Sequence, residues 1–445
     1  MDTRSKSKPW LFLYVLLLFS YKTHGADTIS AGQSLSGSQT PISQGGIFEL
    51  GFFRPGNSAD RFYIGIWYKN FSDRVIVWVA NRNIPFSNPS RSELKLSKDG
   101  NLVILSNSKI IWSTDLPCNS TTSSSLEAVL LDSGNFVLRD GPNSSALIWQ
   151  SFDHPTDTWL PGAKFRLNKL TKEAQPFTSW RNSEDPSTGM FSVGLDPNGS
   201  SRYSIQWNSS KTYWTSGVWK EPNISLVPEN RSTYLYNYSY FSNENENYFT
   251  YSVYNTSILC RIVMDLSGQF KQYVWLDGVW YWNLFWSQPR RQCNVYGLCG
   301  AFSGCNEQTL PFCECLQGFK PRSSEETSLS DWSGGCVRLQ CQNNTSDNGN
   351  EDGFIEMHNT SLPEKPQYLP IGSDKECKLA CLNKCACTAC AYNSNGCSIW
   401  DGDLLNMFKK QEAAMGNCST ANFPHNSYHR LLHMLSMYEK AQRNR

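Results

Sequence analysis

Short apolar runs separated by turn residues fill the first 290 residues of the chain. Residues 48–53, 63–67 and 75–79 each have the length and the aromatic or β-branched content of a strand. The pairs Asp99-Gly100 and Ser133-Gly134 are tight-turn signals between such runs. Because no convincing helical period occurs before residue 370, the pattern predicts an all-β fold for most of the chain.

One strand–turn–strand unit occurs twice. Residues 94–105 (LKLSKDGNLVIL) resemble residues 129–139 (VLLDSGNFVLR), so Asn101 and Asn135 occupy equivalent positions. Each copy is followed by an IWS or IWQS element, which contributes Trp112 or Trp149. Units that cannot bury their apolar faces alone pack on one another. We therefore expect three hairpin sheets around a shared aromatic core.

Strand-like runs at 190–195, 262–266 and 272–276 indicate a second β unit. Four tryptophans within it, Trp275, Trp280, Trp282 and Trp286, form a dense aromatic group. Core packing is the favoured interpretation of this group, because aromatic side chains bury large areas. The alternative is an exposed group that binds a partner, because Trp and Tyr dominate binding hot spots.

Longer segments carry a family resemblance. Residues 78–83 (WVANRN), the two turn motifs and residues 151–162 (SFDHPTDTWLPG) resemble the bulb-type, monocot mannose-binding lectin domain. They are most similar to its version in plant S-locus glycoproteins and S-domain receptor-like kinases. Residues 179–189 (SWRNSEDPSTG) and 214–219 (WTSGVW) continue the resemblance, which covers residues 27 to about 405. It implies a β-prism fold with three pseudo-repeats.

The mannose motif of that family, Gln-x-Asp-x-Asn-x-Val-x-Tyr, is incomplete in the first copy. Asp99, Asn101 and Val103 stand at motif positions, and the resemblance implies that they contact carbohydrate. Ser97 replaces the Gln and Leu105 replaces the Tyr.

The second copy keeps less of the motif. Asn135 and Val137 remain, while Ser133 stands at the Asp position and Arg139 at the Tyr position. Each missing polar group removes roughly 1 kcal/mol or more of binding free energy. For the first copy, a plain hairpin turn is the favoured interpretation, because Asp-Gly is the strongest short hairpin signal. A working sugar site is the alternative.

Cysteine is concentrated at one end of the chain. Fourteen of the 16 cysteines follow residue 292, and only Cys118 and Cys260 precede it. Small modules of this kind depend on disulfides, which persist in oxidising compartments. Because no His lies near the clusters, disulfides are favoured over a metal site. The basic lead-in before Cys293 disfavours calcium, and we predict no metal and no cofactor.

The first cysteine set resembles an EGF-like module, because the segment 313–315 (CEC) is followed by Gly318-Phe319. Six cysteines permit fifteen connectivities from sequence alone. The resemblance implies three pairs: Cys293–Cys305, Cys299–Cys313 and Cys315–Cys336.

The second set has the spacing Cys-x3-Cys-x3-Cys-x-Cys and resembles the PAN/apple domain, an α+β module. The resemblance implies a helix at 374–383, the pairs Cys377–Cys397 and Cys381–Cys387, and a possible reach of Cys385 to Cys341. Four cysteines stay without an assigned partner, which suggests extra or intermolecular bridges: Cys118, Cys260, Cys390 and Cys418.

The N-terminus predicts secretion. Residues 1–25 combine a basic segment, a short apolar run and small residues, which is typical of a cleaved signal peptide; an uncleaved anchor is the alternative. Thirteen Asn-x-Ser/Thr sequons indicate a glycosylated extracellular protein. Asn343 overlaps the next sequon and Asn417 adjoins a cysteine. We expect glycans at the others: Asn70, Asn119, Asn143, Asn198, Asn208, Asn223, Asn230, Asn237, Asn255, Asn344 and Asn359.

Charge and hydropathy narrow the function further. A net charge of +1 without a basic stripe gives no indication of nucleic-acid binding. Nothing after the signal reaches the length of a membrane span, so we expect a secreted chain, whereas the resemblance implies plasma-membrane anchoring of family members.

We predict six segments along the chain. They are a signal peptide at 1–25, a bulb-type lectin domain at 26–150, a second lectin-like S-locus glycoprotein domain at 151–288, an EGF-like domain at 289–340, a PAN/apple domain at 341–420 and an atypical tail at 421–445.

The tail departs from the family after residue 405. The expected closing strand is replaced by residues 408–445, in which Leu431, Leu432, Met434, Leu435 and Tyr438 suggest a short amphipathic helix. We therefore expect the PAN domain to lack its last strand, and the hypothesis is a truncated or alternatively spliced gene model. No Gly-rich loop or catalytic His-Arg-Asp indicates a kinase domain.

The leading hypothesis is a non-enzymatic extracellular recognition protein. The resemblance implies a receptor ectodomain for a protein or other ligand in pollen recognition or defence, including a soluble decoy and dimers with full-length receptor kinases. The alternative is a mannose-binding lectin. An enzyme is disfavoured, because a glycosidase needs paired carboxylates across a cleft. The acids Asp153, Asp157 and Asp185 lie in turn-like segments, and His154 stands alone before Pro155.

Overall fold

A computed structural model describes residues 27–57, 60–117, 125–142, 146–221, 223–224, 227, 235–255, 257–276, 278, 281–338, 353–358, 360–384, 386–408, 418–425 and 436–440, the last two ranges by their backbone. The chain divides into two compact units, Met1–Thr156 and Asp157–Arg445. Strands dominate both units, which confirms the predicted all-β fold with a disulfide-rich rear part.

The first unit consists of antiparallel strands joined by tight turns. Its strands are β1 (Thr28–Ser30), β2 (Ser34–Ser36), β3 (Phe48–Phe53), β4 (Tyr63–Tyr68), β5 (Ile76–Val79), β6 (Ser92–Leu96), β7 (Leu102–Ser106), β8 (Lys109–Ser113), β9 (Leu126–Leu130), β10 (Phe136–Asp140) and β11 (Leu147–Gln150). The turns before β7 and β10 place Gly100 and Gly134 at φ of +87° and +80°. Glycine adopts this conformation without strain, which is why the two turn signals mark real hairpins.

Three sheets make up this unit, in the strand orders β3-β4-β5, β2-β6-β7-β8 and β1-β9-β10-β11. β1 and β2 pair with β9 and β6, so the N-terminal segment adds an outer strand to two of the sheets. Each sheet has a bulge between its last two strands, at Ile66/Trp67, Ile104/Leu105 and Leu138/Arg139. The recurrence of the bulge identifies three copies of one structural unit.

The last strand of each sheet supplies a tryptophan to the centre of the first unit. The ring centroids of Trp78, Trp112 and Trp149 lie 6.2, 6.1 and 5.9 Å apart, each pair edge to face. In this geometry the positive ring edge meets the negative face of its neighbour. Trp78 Nε1 also donates to the carbonyl oxygen of His154 at 2.8 Å. The triad is the shared aromatic core that the repeat predicts.

The second unit begins with another set of antiparallel strands. These are β12 (Thr158–Trp159), β13 (Phe165–Asn168), β14 (Phe177–Asn182), β15 (Asp185–Leu195), β16 (Tyr203–Trp207), β17 (Lys211–Thr215), β18 (Trp219–Lys220), β19 (Asn223–Ile224), β20 (Tyr236–Ser242), β21 (Glu246–Val253), β22 (Leu259–Met264), β23 (Phe270–Trp275) and β24 (Asn283–Gln288). They form the sheets β14-β15-β16-β17, β13-β21-β20 and β12-β22-β23-β24 and the pair β18-β19.

The core of these sheets is aromatic. Its members are at most 2% exposed and contact one another through tilted and edge-to-face pairs: Trp159, Phe165, Phe177, Tyr203, Phe249, Tyr251 and Phe270. Aromatic side chains bury more apolar area than aliphatic ones, which suits a core built by short strands.

A disulfide-bonded module follows at β25 (Ser303–Cys305), β26 (Cys313–Cys315), β27 (Phe319–Pro321), α1 (Ser324–Ser328) and β28 (Cys336–Arg338). Its bonds are Cys293–Cys305, Cys299–Cys313 and Cys315–Cys336, which are the pairs that the EGF-like resemblance implies. The helix α1 was not expected before residue 370, because one turn is too short to produce a visible helical period.

The last module has a six-stranded sheet with one helix. Its elements are β29 (Gly353–His358), β30 (Gln367–Leu369), α2 (Asp374–Leu382), β31 (Cys387–Asn393), β32 (Gly396–Asp401), β33 (Met407–Phe408), β34 (Cys418–His425) and β35 (Ser436–Lys440). The sheet order is β29-β34-β35-β31-β32-β30, and β33 instead pairs in parallel with β25. Cys377–Cys397 and Cys381–Cys387 join α2 to the sheet, again as the resemblance implies.

The tail differs from its prediction. β34 pairs with β29 from Thr420 to His425, and β35 pairs with β31 and β34. The expectation that the module lacks a strand after residue 408 is therefore wrong. The expected helix is also wrong at Tyr438, which lies in β35; residues 431–435 lie outside the described residues.

Candidate functional site

The first copy of the sugar motif forms the hairpin turn that enters β7. Asp99 is exposed, and its carboxylate accepts hydrogen bonds from the Ser97 hydroxyl and from the Asn101 backbone N–H, the latter at 3.2 Å. The hydrogen bond from the Ser97 hydroxyl is the main cause that lowers the pKa of Asp99 below its ordinary value, and the hydrogen bonds from Asn101 have a smaller effect in the same direction. The carboxylate is thus ionised but already engaged within its own turn.

Asn101 connects this turn to the segment that follows β8. Its Oδ1 accepts from Thr114 Oγ1 at 3.0 Å and from the Leu116 backbone N–H at 2.8 Å. Its Nδ2 donates to Asp99 Oδ2 at 3.2 Å. Both lone pairs of the amide oxygen are therefore used inside the fold, and one N–H remains for a ligand.

In the second copy, both the motif asparagine and the residue at the tyrosine position bond to other groups within the fold. Asn135 Oδ1 accepts from Ser151 Oγ at 3.1 Å and from the Phe152 backbone N–H at 3.2 Å, while Nδ2 donates to Gln150 Oε1 at 2.8 Å. At the position of the motif tyrosine, Arg139 Nε lies 2.8 Å from Glu127 Oε1. The residue at the position of the motif tyrosine is thus held in an ion pair within the fold.

The structure adds a third amide that the sequence reasoning missed. Asn81 is 3% exposed; its Oδ1 accepts from the Ile64 backbone N–H at 2.9 Å and its Nδ2 donates to the Ile84 carbonyl at 2.8 Å. The signal that could have found it is that each of the other two repeats also contains one such Asn and one core Trp. The motif residue Val103 is 4% exposed and belongs to the core.

The residues considered for catalysis have structural partners. The His154 ring stacks on Trp149 at 5.2 Å, and Asp153 Oδ2 accepts from Gln150 Nε2 at 3.0 Å. Asp185 Oδ1 accepts from the Ser187 backbone N–H at 3.0 Å. Among the described residues no group of three or more His, Cys, Asp or Glu side chains could hold a metal ion.

The tryptophan group of the second unit separates into two environments. Trp286 is 4% exposed and packs on Phe270 in the core, as the favoured interpretation predicts. Trp275 and Trp282 are only partly buried and meet each other edge to face at 5.9 Å. For these two the core interpretation is wrong. Trp280 lies outside the described residues.

Of the four cysteines without an assigned partner, two have described side chains. Cys260 and Cys390 are buried and carry no disulfide to another described residue. Burial raises the pKa of the Cys260 thiol to about 11, against the smaller effect of a hydrogen bond from Gln272. The remaining unassigned positions, Cys118 and Cys418, together with Cys341 and Cys385, lie outside the described side chains.

Sequon asparagines with described side chains are all exposed: Asn70, Asn198, Asn208, Asn237 and Asn255. Glycan addition at them stays a prediction, which exposure permits. The other predicted glycan acceptors lie outside the described side chains: Asn119, Asn143, Asn223, Asn230, Asn344 and Asn359. In the described part of the chain, no helix is long and apolar enough to cross a bilayer.

Three family models match the chain. The D-mannose binding lectin model matches residues 75–181, the S-locus glycoprotein domain model residues 214–323 and the PAN-like domain model residues 341–407. The lectin match crosses the proposed boundary at residue 150. The boundaries of all six segments stay predictions.

Similar proteins fall into two groups. A G-type lectin S-receptor-like serine/threonine-protein kinase of Arabidopsis thaliana is 46% identical over 91% of this chain but only 49% of its own length. S-locus-specific glycoproteins of Brassica oleracea and its variety alboglabra are 39% and 40% identical, over 89% and 88% of this chain and 92% and 91% of their own lengths. A solved monocot mannose-binding lectin from Gastrodia elata is 25% identical over 28% of this chain and 96% of its own, with a TM-score of 0.22.

The chain spans about half the length of the curated receptor kinases that it matches. Those kinases are matched only over their ectodomains, whereas the S-locus glycoproteins lack a kinase domain and are matched over nearly their whole length. The segment that this chain shares with both groups is therefore the ectodomain of the receptor kinases and nearly the whole length of the S-locus glycoproteins.

Proposed function

This chain belongs to the S-locus glycoprotein family, and from that membership we propose that it binds a protein or another ligand other than mannose, in pollen recognition or defence signalling. Its role is extracellular recognition without catalysis. Five disulfides support an oxidising compartment.

The main support for the proposal is that the motif amides already form hydrogen bonds within the fold. Asn101 and Asn135 each use both oxygen lone pairs to accept hydrogen bonds from the segments that follow β8 and β11. The tyrosine positions hold Leu105, which has no hydroxyl, and Arg139, which is paired with Glu127. Too few free polar groups remain to replace the water that a mannose hydroxyl gives up on binding.

An immobilised-mannose column tests this point with the secreted chain. We expect no retention of the wild type. A double variant, Ser97→Gln with Leu105→Tyr, restores the family motif in the first copy and is the matched positive control, expected to be retained and eluted by free mannose. Retention of the wild type that Asp99→Ala abolishes would instead establish the mannose-binding lectin.

The ligand search uses the same chain as an affinity bait. Capture from pistil, pollen or elicited leaf extracts, followed by mass spectrometry, is expected to return a protein or other ligand whose binding survives excess mannose. Loss of every captured species in free mannose would contradict the proposal.

A soluble form can also act as a decoy, by sequestering ligand or by pairing with full-length receptor kinases. Light scattering on the chain alone and mixed with a receptor-kinase ectodomain tests this role. We expect a complex larger than either component; separate elution of both would remove the dimerisation part of the proposal but not the recognition part.

A further inference from the structure

One sheet of the second unit has an outer face that the core does not use. Ile262, Phe270 and Gln272 point inward from β22 and β23 and have no exposed surface. The pairing register places their alternating neighbours on the opposite side of β22, β23 and β24. We call this set the Arg261 face; it comprises Leu259, Arg261, Tyr273, Trp275, Trp282 and Leu284.

The guanidinium of Arg261 lies at the centre of this face. Its Cζ is 4.9 Å from the ring centroid of Tyr273 and 5.1 Å from that of Trp282. Trp275 meets Trp282 edge to face. Stacking on aromatic rings fixes the orientation of the charged group before a ligand arrives, which reduces the entropy lost on binding.

The charge of Arg261 is not neutralised by any described residue. Lys271, on the neighbouring strand β23, provides the contrast, because its Nζ lies 3.0 Å from Asp265 Oδ1. Arg261 makes no ion pair or hydrogen bond with the described residues, and its Nε is buried without a hydrogen-bond partner. Burying Nε in this way costs free energy. Among the described residues the fold gives no reason for the arrangement, and none of them supplies an acceptor to the terminal Nη atoms.

Apolar surface surrounds the charge. Leu284 is 52% exposed on the same face, and Tyr281, just before β24, is 64% exposed. Trp, Tyr and Arg are the residues most enriched in the hot spots of protein interfaces. The face therefore combines one fixed cation with aromatic and aliphatic contact area.

We propose that the Arg261 face binds an acidic peptide segment of a protein ligand, with a carboxylate on the Nη atoms of Arg261 and a neighbouring apolar side chain on Leu284 and Tyr281. This inference rests on the proposed function, because it supposes a protein ligand. A carboxylate is the complement of a guanidinium, which binds it through parallel N–H bonds. A neutral sugar leaves the charge unused, and anionic membrane surfaces attract clusters of basic residues rather than one.

A phage library of random linear peptides, selected on the intact secreted chain, tests the inference. We expect enriched sequences to hold Asp or Glu beside an aromatic or aliphatic residue. These peptides are then synthesised in pairs, with and without replacement of each Asp and Glu by its amide, and compared by fluorescence anisotropy. The amide form should bind about tenfold more weakly. Enrichment of neutral or basic sequences, or equal affinity within the pairs, would overturn the inference.

Three variants locate the binding. Arg261→Gln should weaken the acidic peptide about tenfold and abolish the difference within each pair, while Arg261→Lys keeps the charge but loses the planar fork and should fall between. Arg74→Gln is the matched control, because the Arg74 Cζ lies 4.8 Å from the Trp67 ring centroid in the first unit. We expect wild-type affinity from it.

Leu284→Ser adds a second approach if Arg261→Gln is not secreted. It changes an exposed side chain, so the fold should persist while affinity falls several-fold. Wild-type affinity in both Leu284→Ser and Arg261→Lys would refute the site.

Failure of this inference differs from failure of the proposed function. Mannose-sensitive capture would remove the proposed function whatever the peptides do. A protein ligand that binds the wild type and Arg261→Gln equally would leave the proposed function standing and remove the Arg261 face alone.

Discussion

A single amide side chain joins separate segments within each repeat of the first unit. Asn81, Asn101 and Asn135 each satisfy backbone N–H or C=O groups that tight turns would otherwise leave without partners. Buried backbone groups must be paired, and a short polar side chain can do this where a strand ladder cannot. The asparagines of the family motif thus act on stability in this chain.

We predict that Asn135→Ala lowers the free energy of unfolding by about 2 kcal/mol, because it leaves the Phe152 N–H and the Ser151 hydroxyl without their acceptor. Calorimetry of the secreted variant measures the change. Lys98→Ala, at an exposed position in the first-copy turn, is the control and should stay within about 0.5 kcal/mol of wild type. Equal effects of the two changes would rule out the structural role.

A second prediction concerns the Asp265–Lys271 ion pair. Burial acts to raise the pKa of Asp265, but the Lys271 charge and the Ser267 hydrogen bonds outweigh it, and the net pKa is lowered. A lowered folded-state pKa gives stability that is present above the unfolded value of about 3.9 and lost as the pH falls through the folded value.

Asp265→Asn should therefore unfold more easily than wild type at neutral pH, by about 2 kcal/mol, and the gap should close below about pH 4. Urea unfolding across a pH series measures both effects. Glu173→Gln, which alters an exposed acid without an ion pair among the described residues, should show no such dependence. A gap that widens in acid would contradict the assignment.

Among the elements, α2 is the one helix of useful length in the described chain, and its start is defined by one residue. Ser373 Oγ accepts from the Glu376 N–H at 3.3 Å and donates to Glu376 Oε2 at 2.9 Å. The first of these bonds is an N-cap, which satisfies an N–H group that the first helical turn leaves free. The helix carries Cys377 and Cys381, so its start also sets where two disulfides begin.

Loss of this cap should be measurable. We predict that Ser373→Ala destabilises the last module by about 1 kcal/mol, seen as a lower unfolding temperature. Ser394→Ala, in the exposed turn between β31 and β32, should leave that temperature unchanged. The cap is unimportant if both variants melt together.

At the scale of the whole molecule, the two units draw stability from different sources. The first contains a single cysteine, Cys118, and relies on its tryptophan triad and its amides. The second contains the five disulfides. Disulfides stabilise small modules that bury too little area on their own.

Reduction should therefore affect the units unequally. We predict that mild reductant lowers the calorimetric transition of the second unit and leaves that of the first unchanged, since no disulfide can form within the first. A sample treated with the oxidised form of the same reagent, which cannot reduce disulfides, is the control. A shift of both transitions by the same amount would show that the units do not unfold separately.

Sequence reasoning reached the hairpins and the aromatic core because Gly100 and Gly134 mark turns that only a few residues can make. It missed Asn81, which follows its strand without such a turn signal. It also favoured the core for Trp275 and Trp282 on general burial tendencies, which cannot show that these two rings meet each other on the outer face of a sheet. The strands after residue 408 were missed because pairing across a sheet depends on distant partners.

The internal use of the motif asparagines has a consequence for inheritance. Selection for folding alone acts to preserve Asn101 and Asn135, whatever the ligand, but it does not require the motif Gln at position 97 or the motif Tyr at position 105. A lineage can thus exchange one ligand for another without rebuilding its scaffold. A sequence search that uses these asparagines as its pattern would find proteins that descend from a lectin. It would say little about which of them still bind sugar.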